Sequence, residues 1–167
     1  MTKLNMAEEV HAVPGLASID AAATAKNSSY VALEQVGAGW IEFAWNFGVL
    51  TSTDVDNQVT VATNDVNDTT STDSANVETA VAFKYRLSSA VGTDSLGTLT
   101  DATSTGVSVT KTDDNKTLFV YVDPKACGGK KYVRSEFTPA TDSSVALVGC
   151  TIHFIPRYAQ ASNLSSS

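Results

Sequence analysis

The stretch Val81-Ala82-Phe83-Lys84-Tyr85-Arg86-Leu87-Ser88 sets Val81, Phe83, Tyr85 and Leu87 on one face and Ala82, Lys84, Arg86 and Ser88 on the other. A period of two marks a half-buried strand, because successive side chains of an extended backbone point to opposite faces. Leu118, Val120 and Val122 repeat the pattern, followed by Val133 and Phe137 and then by Ile152 and Phe154. Strand follows strand through the second half of the chain. Such a pattern predicts a rigid β scaffold that acts through its surface and loops.

Working outward, residues 78–90 read as one long strand, 97–101 and 107–111 as short edge strands, and 117–123 as a strand entered through the turn Asp113-Asp114-Asn115. Residues 130–138 and 144–155 read as a hairpin around Pro139-Ala140-Thr141-Asp142, and Pro156 stops the last strand. Upstream, residues 30–36 form the first predicted strand and 58–63 another, with a polar excursion over 64–76. Trp40, Phe43, Trp45 and Phe47 crowd one segment; Trp40 and Phe43 cannot share a period-two face, so a bulge or burial on both sides is implied. The predicted class is all-β, an antiparallel β-sandwich or jelly roll. Residues 1–29 read as an extended N-terminal arm with a short helix after Gly15, 30–158 as the β domain, and 159–167 as a polar tail.

Composition agrees with that class. Only 17% of the 167 residues are charged, and the net charge is −7. Ser, Thr, Asn and Asp carry the polar share and favour turns and exposed strand faces over helix interiors. The acidic balance argues against a nucleic-acid partner, which requires clustered Lys and Arg. Lys130, Lys131 and Arg134 are the nearest basic cluster and read as a solvated strand face. There is no apolar run of about eighteen residues or more, hence no predicted membrane helix. The N-terminus shows no secretory signal pattern, an expectation of cytosolic synthesis.

No catalytic constellation emerges. His11 falls in the predicted arm and His153 in the last strand, and no HExxH, CxxC or GxSxG pattern or phosphate loop occurs. Glu34, Glu42, Glu78 and Glu136 could meet on a sheet as a glycosidase pair, yet glutamates scattered over several strands are expected by chance. Asp54, Asp56, Asp65, Asp68 and Asp73 form an acidic segment without the glycine and closing Glu of a calcium loop. The expectation is therefore a non-enzyme with no catalytic, cofactor-binding or metal residues. In the predicted hairpin, Cys127 and Cys150 stand about five residues out of register, roughly 16 Å apart at ~3.3 Å per residue. That exceeds the ~7 Å reach of a disulfide, so two free thiols are expected, with Cys150 in the core. Trp40, Trp45 and Tyr121 are stacking platforms if exposed.

The run from Lys84-Tyr85-Arg86-Leu87, through Lys131-Tyr132-Val133-Arg134 with Phe137, Thr138 and Pro139, to residues 145–150 and Pro156-Arg157-Tyr158 resembles small structural proteins of tailed bacteriophages. The resemblance spans residues 81–158 and finds no counterpart in the first eighty. It implies a capsid decoration or cement protein with a jelly-roll-like fold and no cofactor. Its implied partner is the major capsid protein, and its implied state a homo-oligomer, dimer or trimer. It would be made in the host cytoplasm and placed on the capsid surface of the virion, with no nucleic-acid or membrane partner. The arm over residues 1–29 would then dock on the shell. The alternatives are another virion component, in the tail tube or head completion, and a carbohydrate- or receptor-binding β module.

Overall fold

A computed structural model describes residues 10–22, 24–37, 39–52, 57–67, 78–91 and 95–157. The chain is a β-sandwich of two antiparallel sheets. The first sheet is ordered β1 (His11–Asp20), β12 (Ala146–Phe154), β4 (Ile41–Leu50), β10 (Thr117–Val122), β7 (Phe83–Leu87) and β8 (Thr100–Ala102). The second is ordered β2 (Lys26–Asn27), β11 (Tyr132–Thr138), β5 (Asn57–Asn64) and β6 (Thr79–Ala80), with β3 (Val31–Ala32) on β11 and β9 (Val107–Val109) on β5.

Alternation decides what lies between the sheets. Ile41, Phe43, Trp45 and Phe47 of β4 face inward with Leu118, Val120 and Val122 of β10 and Val148, Cys150 and Ile152 of β12. Val59 and Val61 of β5 and Val133 and Phe137 of β11 meet them from the opposite sheet. Phe137 lies against Trp45 and Phe47 at ring-centroid distances of 6.2 and 6.0 Å. Two polar residues sit inside with their bonding complete. The Trp45 indole N–H donates to Ser135 Oγ at 2.9 Å, and that hydroxyl donates to the Thr60 carbonyl at 2.9 Å. Asn57 donates to Ser52 Oγ and the Val109 carbonyl and accepts from the Ala140 N–H and Ser143 Oγ, at 3.0 to 3.3 Å.

Four expectations about the chain's course are corrected. His11–Asp20 is not an arm but the edge strand β1, paired from His11 opposite Phe154 to Asp20 opposite Leu147, with register shifts on both sides of Leu16. No helix follows Gly15. A Cβ there would lie 2.8 Å from an Ile152 side-chain carbon and 3.1 Å from the Cys150 carbonyl oxygen, so the glycine lets β1 lie flat on β12. The strand predicted over 78–90 divides: β6 pairs with β5 in the second sheet, and β7 pairs with β10 in the first. Val81 and Phe83 both face the core through this crossing, which is why the period of two runs unbroken across it. The predicted 130–155 hairpin is likewise a passage between sheets, with Tyr132 opposite Asn64 and Cys150 opposite Trp45. Finally, the strand predicted over 30–36 shortens to Val31–Ala32 followed by a 3-10 turn at Leu33–Gln35. Residues 1–9, most of the 64–76 excursion and the 159–167 tail lie outside the described residues.

Replacing Asn57 by Ala should strip bonds from the buried Val109 carbonyl at the end of β9 and the Ala140 N–H of the β11–β12 connection. An unsatisfied buried group costs about 1–3 kcal/mol, so Asn57→Ala should lower stability by about 2–4 kcal/mol. Gln58→Ala, at the exposed neighbouring position, should stay within about 0.5 kcal/mol. Urea unfolding midpoints of the two variants check this.

Candidate functional site

The side of the first sheet that faces away from the core carries the surface chemistry. Register places Asp101, Lys84, Tyr121, Glu42, His153 and Ala12 side by side across β8, β7, β10, β4, β12 and β1. The next row of the same face holds Arg86, Phe119, Ala44, Thr151 and Pro14. Trp40 stands at the head of β4. The strand parity that buries Ile41 and Phe43 sends residue 40 to this outer face, where it is 45% exposed. No bulge is needed. The entry to β4 is held to the end of β12, since the Gly37 N–H donates to the Ile155 carbonyl at 2.7 Å. Gly39 then turns the chain at a φ of 110°, which a side chain would strain.

Trp40 and Tyr121 form a ridge between two shallow grooves of about 360 Å³ each. One groove is lined by Lys84, Arg86 and Leu99 beside the ridge. The other is lined by Glu42, His153 and Ile155, among others. The charges along the row are largely matched. Lys84 pairs with Asp101, and His153 Nδ1 lies 2.8 Å from Glu42 Oε1. Burial pushes the Tyr121 phenol above its ordinary range, and the neighbouring Glu42 carboxylate pushes it further. Arg86 makes no ion pair among the described residues.

The other residues singled out from sequence fall elsewhere. Trp45 is fully buried and is no platform. His11 is inside the fold's edge rather than on an arm, its ring 5.2 Å from that of Phe154. The Lys130, Lys131 and Arg134 cluster is not a uniformly solvated face. Arg134 is 5% exposed, bonded to Glu78 at 2.6 Å and Glu136 at 3.5 Å, and lies over the Tyr30 ring. Lys130 pairs with Asp65 at 2.6 Å, while Lys131 is exposed. Of the four glutamates, Glu78 and Glu136 do converge, but on a guanidinium that holds them as ion-pair partners. Glu42 belongs to the outer face of the first sheet and Glu34 to the 3-10 turn. Asp54, Asp56, Asp68 and Asp73 lie outside the described residues, among which no group of three His, Cys, Asp or Glu side chains is placed to hold a metal. Arg86, Lys84 and Leu99 were not singled out as partners of Trp40. Alternation places the two cations off the core face, but which strands neighbour β7 is not written locally.

Cys127 and Cys150 are free and buried. Burial, helped by the Asp123 charge, raises the Cys127 thiol to about 11, and burial alone raises Cys150 to about 12. Neither is a nucleophile at neutral pH, since the thiolate is the reactive form. Comparison with known proteins returns no matching family model, no matching curated protein and no matching solved structure.

The thiols give a pH dependence with a definite sign. In the unfolded chain they ionise near their ordinary 9.0, whereas the folded chain holds the protons up to about 11 and 12. Their contribution to stability is complete below pH 9.0 and is lost as pH rises through the folded values. Unfolding midpoints should therefore fall with pH above 9.0, and less steeply in Cys150→Ala. A thiol reagent at neutral pH should label neither cysteine in the folded chain and both in urea.

Proposed function

We propose that the chain is a non-enzymatic structural protein of a tailed-phage virion, a decoration protein that binds the outside of a capsid shell and stabilises contacts between its subunits. The observation that carries this reading is a set of exposed apolar side chains at one end of the first sheet, on the neighbouring strands β1, β12 and β4, with Ile19 at the edge opposite Val148 and Leu147 on the outer face opposite Asp20. Ile19, Leu147 and Val49 stand there 43%, 42% and 44% exposed. Solvated apolar side chains at the ends of adjacent strands are surface that a docking partner can cover. The frame beneath them is fixed. Asp20 Oδ1 accepts from the Ala22 and Ala146 N–H groups at 3.0 Å, and Asp114 Oδ1 accepts from the Leu50 N–H at 2.7 Å. A pre-ordered surface loses little conformational freedom on docking.

The resemblance over residues 81–158 supports a capsid shell as the partner, and the β-sandwich suits a protein that must bridge subunits without chemistry. Because residues 11–20 are strand, the docking element in this reading is the β1 edge with its neighbours rather than a free arm. A homo-oligomer on the shell remains part of the reading. A carbohydrate-binding module is the second reading, and the half-exposed Trp40 is the observation that favours it.

Cosedimentation with empty shells of the parent phage, before and after expansion, tests the first reading. The wild-type chain should bind saturably at a fixed ratio to capsid subunits, and Leu147→Asp should weaken binding at least tenfold with an unchanged circular dichroism spectrum. Undiminished binding by Leu147→Asp would remove the patch from the account, and absence of wild-type binding to either shell state would remove decoration itself.

A further inference from the structure

We propose that the groove between Trp40 and Arg86 binds an acidic saccharide, one bearing carboxylate or sulfate groups. The inference stands on this groove alone and does not rest on shell binding. The groove lies at the opposite end of β4 from Val49, about 30 Å away at ~3.3 Å per residue, so the two surfaces are separable.

Sugar recognition on a sheet face needs a flat apolar ring and a directional polar group beside it. Trp40 supplies the ring and Leu99, 42% exposed, extends the apolar floor. Tyr121 and Phe119 continue the aromatic line along β10, two residues or about 6.6 Å apart. Tyr121 keeps its proton, since burial, the Glu42 charge and a hydrogen bond to Glu42 disfavour its ionised form, which leaves the phenol oxygen as an acceptor beside the groove.

The sign of the ligand comes from the cations. Lys84 is engaged by Asp101, whose side chain is 81% exposed at the rim. Arg86 faces the groove with no ion pair among the described residues, whereas the buried Arg134 guanidinium is held by Glu78 and Glu136. A free guanidinium offers a planar fork that matches a carboxylate or sulfate with two parallel hydrogen bonds. A neutral glycan would leave that fork unused. A nucleic acid would need a row of cations, and the net charge of −7 opposes it. An extended peptide would add to a sheet edge, whereas this groove opens on a sheet face whose ladder bonds are already made.

The test titrates the full chain, at low ionic strength, with a hyaluronan tetrasaccharide, a heparin tetrasaccharide and neutral maltotetraose, followed by calorimetry and tryptophan fluorescence. Trp45 is buried, so a ligand-induced change reports on Trp40. Saturable binding of either acidic probe, at least tenfold tighter than maltotetraose, is expected; binding of hyaluronan, whose only anionic groups are carboxylates, shows that a carboxylate suffices. Arg86→Gln and Trp40→Ala should each weaken binding tenfold or more, with Arg86→Lys recovering only part of the loss. Neither substitution should alter shell cosedimentation, just as Leu147→Asp should leave saccharide binding intact. Equal affinity for neutral and acidic probes, no binding of either acidic probe, or an Arg86→Gln variant that binds as wild type would each overturn the proposal.

Discussion

A tryptophan cannot be fully buried between two sheets unless its indole N–H finds an acceptor, and Ser135 of the opposite sheet supplies one at 2.9 Å. Much else is arranged around that contact. The Ser135 hydroxyl in turn donates to the Thr60 carbonyl on β5, while its backbone N–H and carbonyl are both bonded to Ser28, at 3.0 and 2.8 Å. One small polar residue thus ties β4 to β11, β5 and the segment after β2. Apolar packing alone tolerates sliding of one sheet over the other, whereas a directional bond in a low-dielectric core does not. Because β4 is anchored this way, Trp40 at its head has a defined position on the outer face.

The β class was legible because alternation is a property of the extended backbone itself. The route of the chain was not. Residues 81–88 alternate identically whether they continue one strand or step from one sheet to the other, since inward-facing side chains stay inward through the crossing. Residues 130–155 misled in the same way: two strands joined by a turn with Pro139 look like a hairpin, but Asn57 captures the Ala140 N–H and turns the chain toward the other sheet. The expectation of two free thiols proved right although the hairpin behind it was not. Strand β1 was missed for another reason. Its inward residues, Val13 and Leu16, are only partly buried, and the alanine-rich run beyond them carries no strong period.

Surface chemistry was partly legible. The spacing of Trp40 and Phe43 set them on different faces, but the bulge or two-sided burial expected from it did not follow, because Trp40 is half exposed. That Arg134 would be nearly buried against two glutamates did not follow, because Glu78 lies on the far side of a segment whose path no local pattern predicts. Burial of Arg134 against Glu78 and Glu136 takes its guanidinium out of reach of a ligand, whereas Arg86 stands on the outer face of the first sheet with no ion pair among the described residues.

The pairing of β1 with β12 has a consequence in time. Residues up to Phe154 must be made before the first described strand can complete its pairing, so the contact that closes this edge of the sheet is among the most distant in sequence. Loop-closure entropy opposes such contacts until the rest of the sandwich is in place. During synthesis the N-terminal strand therefore waits unpaired, and the nascent sheet shows an open row of backbone donors and acceptors to any neighbouring copy. Once β1 is paired, the register shifts on both sides of Leu16 interrupt its regular ladder and make the finished edge a poor template for flat, edge-to-edge growth.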